Sequence, residues 1–549
     1  MMLLPEKTIL NPVQTYKTDV VIAGGGLAGI VAALELLDSN KKVLLLDRDI
    51  RENFGGLARE SFGGMFFVGT AQQRWTGISD NPALALQDWL AYAEFNEADH
   101  WPRQWAEYYV NNCTELGYKW LRKQGIRFLP VVNWVERKSA EYAGNSVPRF
   151  HIVWGSGKGL SDTLVGKLLS HRNVANLSIM FRHKVTTIEK HDARVVGLRG
   201  VDEEKGQDFL VNAESTIIAS GGICGSIDRI KANWYKPWGE APEIILNGSH
   251  PYADGLLHDA AENIGANLTH MNKQWLYSGG VRHPKPRMPN HGLSIISSKT
   301  ALWLDSQGRR FGPEPLVGGF DARRIIETVC KQEHKYSWQV LNRKIAVREL
   351  AISGSEHNPA LREKKVYRFL KGFLMGAGGL VDDMLANCED FIMANSVDEL
   401  TEKMQAHNQD VPLDRQEIAR TIKAYDASAD EPIQSTDKQR QLIKLIRKYP
   451  LDKFRTCVNR KIDDPAAYPL IAIKEHILSR KTLGGIQTDL GSRVLTDSGD
   501  PIPGLFAVGE AAGFGGGGVH GLRSLEGTFL GGCVLSGRLA ANTIKTSAS

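Results

Sequence analysis

The stretch VVIAGGGLAGIVAALEL, residues Val20–Leu36, decides the fold class of this chain. It opens with four apolar residues, which suit a strand that is buried on both faces. The run Leu27–Leu37 has apolar residues on all sides and suits a helix packed on a sheet. The next segment, KKVLLLD, reads as a second buried strand that ends at Asp47. Together these segments predict one β-α-β unit of the usual ~30 residues.

The turn of this unit carries the pattern Gly24-x-Gly26-x-x-Gly29. Gly24 permits the tight turn, Gly26 lets backbone approach a pyrophosphate, and Gly29 lets the helix pack closely on the strand. The helix N-terminus would present free N–H groups to the phosphates. Asp47 follows Gly29 by 18 residues, where an acid can bond the ribose hydroxyls. The pattern predicts a dinucleotide site and favours a ribose without a 2′-phosphate; the alternative is a plain glycine turn.

Length and composition place the chain among ordinary globular proteins. It has 549 residues, of which 42% are hydrophobic and 23% are charged, and this balance argues against disorder, collagen and a coiled coil. Its 67 basic and 62 acidic residues give a net charge of only +5. No dense run of Lys and Arg accompanies that charge, so we expect no nucleic-acid partner.

Cysteine usage and the N-terminus indicate the cellular setting. The six cysteines are scattered without a C-x-x-C pair, which gives no support to zinc ribbons, iron–sulfur clusters or c-type haem. A reduced, intracellular setting fits this usage. Residues 1–19 lack the apolar core of a signal peptide, and no window approaches ~18 uninterrupted apolar residues. We therefore expect a cytoplasmic protein with no bound metal and no transmembrane segment.

Three further glycine-containing segments indicate which dinucleotide is bound. They are GGLARESFGGM (Gly55–Met65), STIIASGG (Ser215–Gly222) and PIPGLFAVGEAAG (Pro501–Gly513). Clustered glycines between apolar runs are typical of backbone that lies close to a ligand. A domain for NAD alone would not need these segments. FAD, extended across one domain and touching several strand ends, would use all of them.

These segments, together with HPYADGLLHDAAENIGA, LWLDSQGRRFGPE, LGGIQTD and GLFAVGEAAGFGGGGVHGLRSLEGTFLGG, resemble a known flavoprotein superfamily over nearly the whole chain. It includes the fumarate reductase and succinate dehydrogenase flavoproteins and the 3-ketosteroid Δ1-dehydrogenases. The resemblance is greatest to a bacterial group of FAD-binding dehydrogenases. It implies an α/β fold, α+β overall, with a Rossmann-like FAD-binding domain built from residues 1–276 and 478–549. Residues 277–477 would form an inserted cap, or substrate, domain.

The resemblance also implies how FAD is held. Glu510 would bond the ribityl chain, Val185 would hold adenine through its backbone, and the backbone of Ser524–Thr528 would face the flavin pyrimidine carbonyls. Leu57 stands where succinate dehydrogenases carry the His that attaches FAD, so we expect non-covalent FAD. The expected cofactor-binding residues are Gly24, Gly26, Leu27, Ala28, Gly29, Asp47, Arg48, Gly55, Gly56, Ser61, Gly63, Gly64, Val185, Ser220, Gly221, Gly222, Asp254, Glu510, Ser524, Leu525 and Thr528.

The substrate side departs from both parts of the superfamily. Tyr277 and Lys481 stand where fumarate reductases carry their two substrate His residues, and Gly318 stands where they carry the proton-donating Arg. Only Arg523 matches a substrate Arg, so charge complementarity to a dicarboxylate is weak. Ketosteroid dehydrogenases use Tyr residues to polarise a ketone and take a proton. Tyr277 suits such a role, but Gly318 also replaces the cap Tyr of that group.

Four residues remain as catalytic candidates, and each has a structural alternative. His520 has an ordinary pKa near ~6.5 that suits proton exchange, or it is a satisfied structural residue. Arg523 would bind an anion or stabilise an enolate, or it pairs with Glu526 or Glu510. For Tyr277 the alternative is core packing with Trp275, and for Lys481 it is a solvated charge. The catalytic candidates are therefore Tyr277, His520, Arg523 and Lys481.

The function expected from these residues is an FAD-dependent dehydrogenase. It would remove a hydride and a proton across a C–C bond next to a carbonyl of a cyclic ketone or acid, and pass the electrons to a quinone-like acceptor. A fumarate reductase-like C=C reductase is the alternative. A flavin-binding electron carrier is the alternative of another class, but a carrier has little need of a cap-sized insertion. The substrate and the oligomeric state, including a homo-oligomer, stay open.

Overall fold

The computed structural model describes residues 13–409, 411–430 and 435–547. Most of the segment on which the expectation of no signal peptide rests, residues 1–12, lies outside the described residues. The strands, in chain order, are β1 Gln14–Ala23, β2 Val43–Leu46, β3 Gly64–Phe66, β4 Phe128–Asn133, β5 Phe150–Val153, β6 Leu177–Met180, β7 His183–His191, β8 Arg194–Asp202, β9 Gln207–Ile218, β10 Ile245–Asn247, β11 Leu268–Thr269, β12 Gln274–Arg282, β13 Gly292–Ile296, β14 Leu302–Leu304, β15 Tyr336–Asn342, β16 Ala351–Ile352, β17 Phe391–Ala394, β18 Leu470–Thr482, β19 Gly485–Ile486, β20 Arg493–Leu495 and β21 Pro501–Ala507.

Helices alternate with the strands in the first third of the chain and dominate the segment from residue 320 to residue 460. The α-helices are α1 Leu27–Asp38, α2 Leu57–Glu60, α3 Ala71–Trp75, α4 Pro82–Ala93, α5 His100–Asn112, α6 Trp120–Lys123, α7 Ser156–Leu169, α8 Ile227–Ala232, α9 Leu256–Glu262, α10 Ala322–Cys330, α11 Arg343–Glu349, α12 Pro359–Arg362, α13 Val366–Met375, α14 Gly378–Asn387, α15 Val397–His407, α16 Arg415–Ala427, α17 Lys438–Ile446, α18 Pro450–Arg455 and α19 Thr528–Ser547. A π-helical turn spans Cys113–Lys119, and 3₁₀ turns span Arg51–Asn53, Val174–Asn176, Lys236–Trp238, Ser428–Asp430, Pro465–Ala467 and Gly509–Ala511.

The first sheet has a parallel core in the order β6-β2-β1-β9-β21. The hairpin β7–β8 pairs with β9, and β20 pairs antiparallel with β21. The last residues of β1, Val20–Ala23, are buried on both faces, as their apolar run predicts. Because β21 comes from the C-terminal segment and β9 from the N-terminal one, two separate parts of the chain build this sheet. The predicted α/β fold is confirmed.

Helix α1 fills the space between this sheet and the C-terminal helix α19. Ten of its twelve residues are buried, so the predicted helix with apolar residues on all sides is confirmed. The two helices approach closely because α19 carries a glycine there: a Cβ on Gly537 would lie 2.6 Å from the carbonyl oxygen of Ala28. The C-terminal segment is thus fixed to the first β-α-β unit by both a strand and a helix.

The second sheet follows the order β14-β15-β18-β12-β13-β16, with β10 and β17 also paired to β18. Its long central strand β18 is buried over nearly its whole length and packs in a second apolar core with β14, β15 and helices α14 to α16. The expected domain boundaries at residues 277 and 477 fall inside β12 and β18. These two strands therefore run from the second core to the first domain, and the assignment of residues 277–477 as a cap stays a prediction.

Helix length and hydropathy bear on the expectation that the chain has no transmembrane segment. Among the helices of the described residues, none is long and apolar enough to cross a membrane.

Candidate functional site

A long pocket opens at the carboxyl ends of the parallel strands. Its wall includes Ala23 at the end of β1, Asp47 after β2, Ala219 after β9 and Val508 after β21. In open α/β sheets, ligands bind outside the carboxyl ends of strands where the strand order reverses. The order β6-β2-β1-β9-β21 reverses between β1 and β9, and the glycine turn lies at that point.

The three glycines of the turn lie in three different environments. Gly24 has a φ of +117°, and a Cβ on it would lie 2.3 Å from the carbonyl oxygen of Ala219. A Cβ on Gly29 would lie 2.1 Å from the carbonyl oxygen of Gly24, so the helix and strand touch there. A Cβ on Gly26 would meet nothing within 4 Å and would stand in the pocket. The pocket therefore leaves room for a ligand beside bare backbone.

Asp47 is held in a fixed orientation by backbone donors. The N–H of Gly25 donates to Oδ2 at 2.9 Å, and the N–H of Asp49 donates to Oδ1 at 2.8 Å. Burial raises the pKa of Asp47. Beside it, Arg48 pairs with Glu203 and, at 2.8 Å, with Asp254. The acid and its neighbours form the end of the pocket that suits a ribose and adenine.

Most of the expected cofactor-binding residues line this one pocket, which brings together segments that lie far apart in the chain. The residues in its wall are Gly24, Gly26, Leu27, Ala28, Asp47, Arg48, Gly56, Ser61, Gly63, Gly64, Val185, Ser220, Gly221, Asp254 and Glu510. The expected residues that lie behind the wall are Gly29, Gly55, Gly222, Ser524, Leu525 and Thr528.

Glu510 links the pocket to strand β18. Its Oε1 accepts a hydrogen bond of 2.9 Å from the N–H of Thr482, and burial raises its pKa to about 7. A Cβ on Gly222 would lie 2.4 Å from Glu510 Oε1, so a larger residue at this position would collide with the carboxyl group. Gly222 thus makes room for the carboxyl group.

Tyr277 lies in the wall of the pocket and bonds Glu526, an acid outside the expected site residues. Its Oη donates to Glu526 Oε1 at 2.5 Å, and the indole N–H of Trp275 donates to the same oxygen at 2.9 Å. Burial, followed by the charge of Glu526, raises the pKa of Tyr277 well above its usual value. The phenol therefore holds its proton and shares it with the carboxylate.

Lys481 faces this pair from strand β18. Its Nζ lies 3.4 Å from Tyr277 Oη and 3.9 Å from the centre of the Phe529 ring. Burial lowers the pKa of Lys481 to about 8, although the charge of Glu526 opposes this effect. Lys481, Tyr277 and Glu526 all line the pocket. The side chain is not the solvated charge of the alternative interpretation.

A second carboxyl group supports Glu526 from behind. Glu136 accepts a hydrogen bond of 3.0 Å from the backbone N–H of Glu526. Burial, and then the negative charge of Glu526, raise the pKa of Glu136 well above its usual range. Glu136 therefore keeps its proton.

His520 lies in an aromatic cluster, outside the residues that line the pocket. Its ring stacks on Trp89 at 5.9 Å and lies 4.8 Å from the Phe529 ring. Its Nε2 lies 2.8 Å from the hydroxyl of Thr528. Burial lowers the pKa of His520 to about 3, so the ring is neutral at ordinary pH. Its Nδ1 is buried without a hydrogen-bond partner among the described residues, so the ring is packed in the core but only one of its two nitrogens is satisfied.

Arg523 also lies outside the pocket wall. Its guanidinium forms a close ion pair with Glu94, and its Nε lies 3.1 Å from Asp321. The partners are thus two carboxylates other than the expected Glu526 and Glu510. These contacts tie α4 to the segment before α10 and hold the Arg523 guanidinium away from the pocket.

The missed residue, Glu526, carried one signal in the sequence. It is an acid inside the glycine-rich block that precedes α19, where the other residues are small, apolar or basic. A second missed pair lies at the adenine end, where His250 Nε2 contacts Asp49 Oδ2 at 3.0 Å. Both pairs join residues that are distant in sequence, so spacing alone gave no indication of them.

Known proteins match the chain over nearly its full length. A model of the FAD binding domain family matches residues 19–530. A KsdD-like steroid dehydrogenase of Mycobacterium tuberculosis is 42% identical over 540 residues, which cover 95% of this chain and 94% of the relative.

Two solved structures share the fold. The 3-ketosteroid-Δ4-(5α)-dehydrogenase of Rhodococcus jostii RHA1, in complex with 4-androstene-3,17-dione, has a TM-score of 0.64 at 20% identity and 98% coverage of both chains. The open conformation of a flavocytochrome c3 fumarate reductase has a TM-score of 0.68 at 20% identity, with 97% of this chain and 79% of that chain covered.

Proposed function

The chain belongs to the FAD binding domain family, and from this premise we propose that it dehydrogenates a cyclic ketone at the C–C bond beside the carbonyl. It is an FAD-dependent dehydrogenase, as its relatives and fold show. A 3-ketosteroid-like substrate is the class we assign, because the relative at 42% identity is a KsdD-like steroid dehydrogenase. The similarity to dehydrogenases also argues against the alternative of a flavin-binding electron carrier.

The residues of the pocket fit FAD. Open space beside Gly26 and the N-terminus of α1 suit a pyrophosphate. Asp47, oriented by two backbone N–H groups, suits the ribose hydroxyls. FAD, when bound, accepts a hydride from the substrate. Leu57 lines the pocket. Because its side chain cannot form a bond to the flavin, we propose that FAD is held without a covalent bond. Acid precipitation of the holoenzyme should then release all of the flavin into the supernatant.

The proton that leaves the substrate is handled by Tyr277 and Glu526. The carbon beside the carbonyl gives its proton to Tyr277 Oη while the phenol proton moves to Glu526 Oε1, 2.5 Å away. The electron pair of the broken C–H bond forms the C=C bond, and a hydride with its two electrons leaves the neighbouring carbon. Positioned proton transfer of this kind contributes typically ~10²–10⁴-fold to rate.

Lys481 supplies a positive charge beside the oxygen that exchanges the proton. Its Nζ lies 3.4 Å from Tyr277 Oη. A cation there stabilises the partial negative charge on the phenol oxygen as the proton is transferred. We propose a quinone-like compound as the final electron acceptor.

The ion pairs of Arg523 favour a ketone over a dicarboxylate substrate. Arg523 was the one residue that matched the substrate Arg of fumarate reductases, and here it is bound by Glu94 and Asp321. A dicarboxylate needs charge-assisted hydrogen bonds from free cationic side chains. Arg480 and Lys481 also line the pocket as basic side chains, so the ion pairs of Arg523 weaken the fumarate reductase-like alternative by one cationic group.

The hydrogen bond between Tyr277 and Glu526 carries this proposal, and two variants test it. Tyr277→Phe removes the hydroxyl in the relay, whereas Trp275→Phe removes the other donor to the same carboxylate oxygen. The assay is the anaerobic bleaching of the flavin absorbance after mixing with 4-androstene-3,17-dione. We expect a loss of about 10²–10⁴-fold for Tyr277→Phe and at most about tenfold for Trp275→Phe. Equal rates for Tyr277→Phe and the unaltered enzyme would overturn the relay.

A further inference from the structure

Helix α13 turns an apolar stripe toward solvent. None of its residues is buried, and the outer side chains are Val366, Tyr367, Leu370, Leu374 and Met375, exposed by 58%, 78%, 52%, 62% and 69%. Positions 366, 370 and 374 fall on one face of a helix. A helix of a folded protein usually directs such a stripe into the core. This one directs it outward.

Basic side chains accompany the stripe. Between residues 362 and 375 the sequence has five Lys or Arg residues and one acid, Glu363. Glu363 pairs with Arg362 and Lys365. Among the ion pairs of the described residues, none involves Lys364, Arg368 or Lys371. The apolar stripe therefore lies beside three basic side chains that form no ion pair with an acid of the described residues.

The neighbouring helix α18 extends the same surface. Phe373 contacts the ring of Phe454 in α18 at 6.2 Å, and Phe454 is itself 49% exposed. Lys453 directly precedes Phe454 in the sequence. We call this surface, formed by α13 and Phe454, the basic apolar face.

The inner side of α13 covers a wall of the pocket. Phe369 contacts the ring of Trp154 at 5.6 Å and packs in a small apolar cluster that contains Phe62 and Phe150. Phe62 and Phe150 line the pocket. An unbroken set of apolar side chains therefore joins the basic apolar face to the pocket.

We propose that the basic apolar face docks the enzyme on the surface of an anionic phospholipid bilayer. A helix with an exposed apolar stripe and flanking Lys and Arg lies in the plane of the interface, with its apolar side chains at the boundary of headgroups and acyl chains. A protein partner fits this face less well, because Lys is depleted at protein interfaces, whereas anionic headgroups attract it. If the substrate is the apolar ketone of the proposed function, docking also brings the pocket to the phase in which that ketone dissolves.

Vesicle sedimentation tests the docking without any use of turnover. The purified, FAD-loaded enzyme is mixed at low salt with vesicles of phosphatidylcholine alone or with one third phosphatidylglycerol. We expect binding to the anionic vesicles that 1 M NaCl largely reverses, because the Debye length then falls to ~3 Å. Since each basic residue near an anionic surface contributes about fivefold, Arg368→Gln with Lys371→Gln should weaken binding by about 25-fold. Leu370→Ser with Leu374→Ser should weaken it by at least about tenfold.

Matched variants on other helices distinguish a specific role of the basic apolar face from a general effect of lost charge or lost apolar surface. Lys167→Gln with Lys423→Gln removes the same charge from exposed sites, and Trp75→Ser with Leu169→Ser removes exposed apolar side chains; both should bind as the unaltered enzyme does. No binding to anionic vesicles, or equal losses in the matched variants, would overturn the proposal. A fall in sedimentation coefficient on Leu370→Ser with Leu374→Ser, without a change in vesicle binding, would assign the face to a second copy of the chain instead.

Discussion

Replacement of Lys481 tests the role of charge beside Tyr277. Burial lowers the pKa of Lys481 to about 8, so the ammonium is present below that pH and is lost as the pH rises through it. If the cation assists proton transfer, the rate of flavin reduction does not depend on this group below pH 8 and falls above it, toward the rate of an enzyme without the charge. Lys481→Arg keeps the charge to high pH, so its profile should lack this fall.

The size of the effect follows from the geometry. Nζ lies 3.4 Å from Tyr277 Oη. With half a unit of negative charge on that oxygen and an effective dielectric constant of 20, the attraction amounts to about 2.4 kcal/mol. Lys481→Met removes the charge but keeps an apolar stem over Phe529. It should slow flavin reduction by about 60-fold at pH 7, since 1.36 kcal/mol corresponds to tenfold.

Stopped-flow measurement of anaerobic flavin bleaching by 4-androstene-3,17-dione, from pH 6 to pH 10, supplies the profiles. The unaltered enzyme should show the fall near pH 8, and both Lys481→Arg and Lys481→Met should not. A rate that rises through pH 8 would mean that neutral Lys481 is itself the base, and the reasoning would be refuted. The same conclusion would follow if Lys481→Met kept the alkaline fall.

Three further predictions concern the rest of the chain. Gly26→Ala should leave the melting temperature of the apoprotein unchanged but weaken FAD binding at least about tenfold in a fluorescence titration, because its Cβ would stand in the pocket at an ordinary φ of −73°. Arg523→Gln should cost about 1–3 kcal/mol in urea unfolding while flavin reduction changes less than threefold, because it leaves the largely buried Asp321 without its cation, outside the pocket, whereas Glu94 is half exposed to water; a collapse of the rate alone would contradict this. Glu475→Gln should raise the melting temperature more at pH 8 than at pH 5. Burial raises the pKa of Glu475, so its contribution to stability is full below its unfolded pKa and is lost as the pH rises; equal effects at both pH values would count against this.

The first β-α-β unit could be read from the sequence because its signals are local. The glycines, the apolar strand and the acid that follows it all lie between Val20 and Asp47, and the structure places Gly26 and Asp47 in the pocket wall. Tyr277 and Lys481 were found through the resemblance, since they occupy positions that carry substrate residues in other members. These two also line the pocket.

Contacts between residues that are far apart in the chain could not be predicted from local sequence patterns. Glu526 lies 249 residues from Tyr277, and only the folded chain places the segment before α19 beside β12. His520, a catalytic candidate in the sequence, lies in a glycine-rich loop. The loop instead folds the ring against Trp89, whose indole N–H donates to the carbonyl oxygen of Val519 across 430 residues.

The visible spectrum of the purified enzyme, recorded without oxygen during a titration with 4-androstene-3,17-dione and then with succinate, tests the central claim most directly. The flavin bands should bleach with the ketosteroid and stay unchanged with succinate. Bands that bleach with succinate alone would contradict the assignment of a ketone substrate.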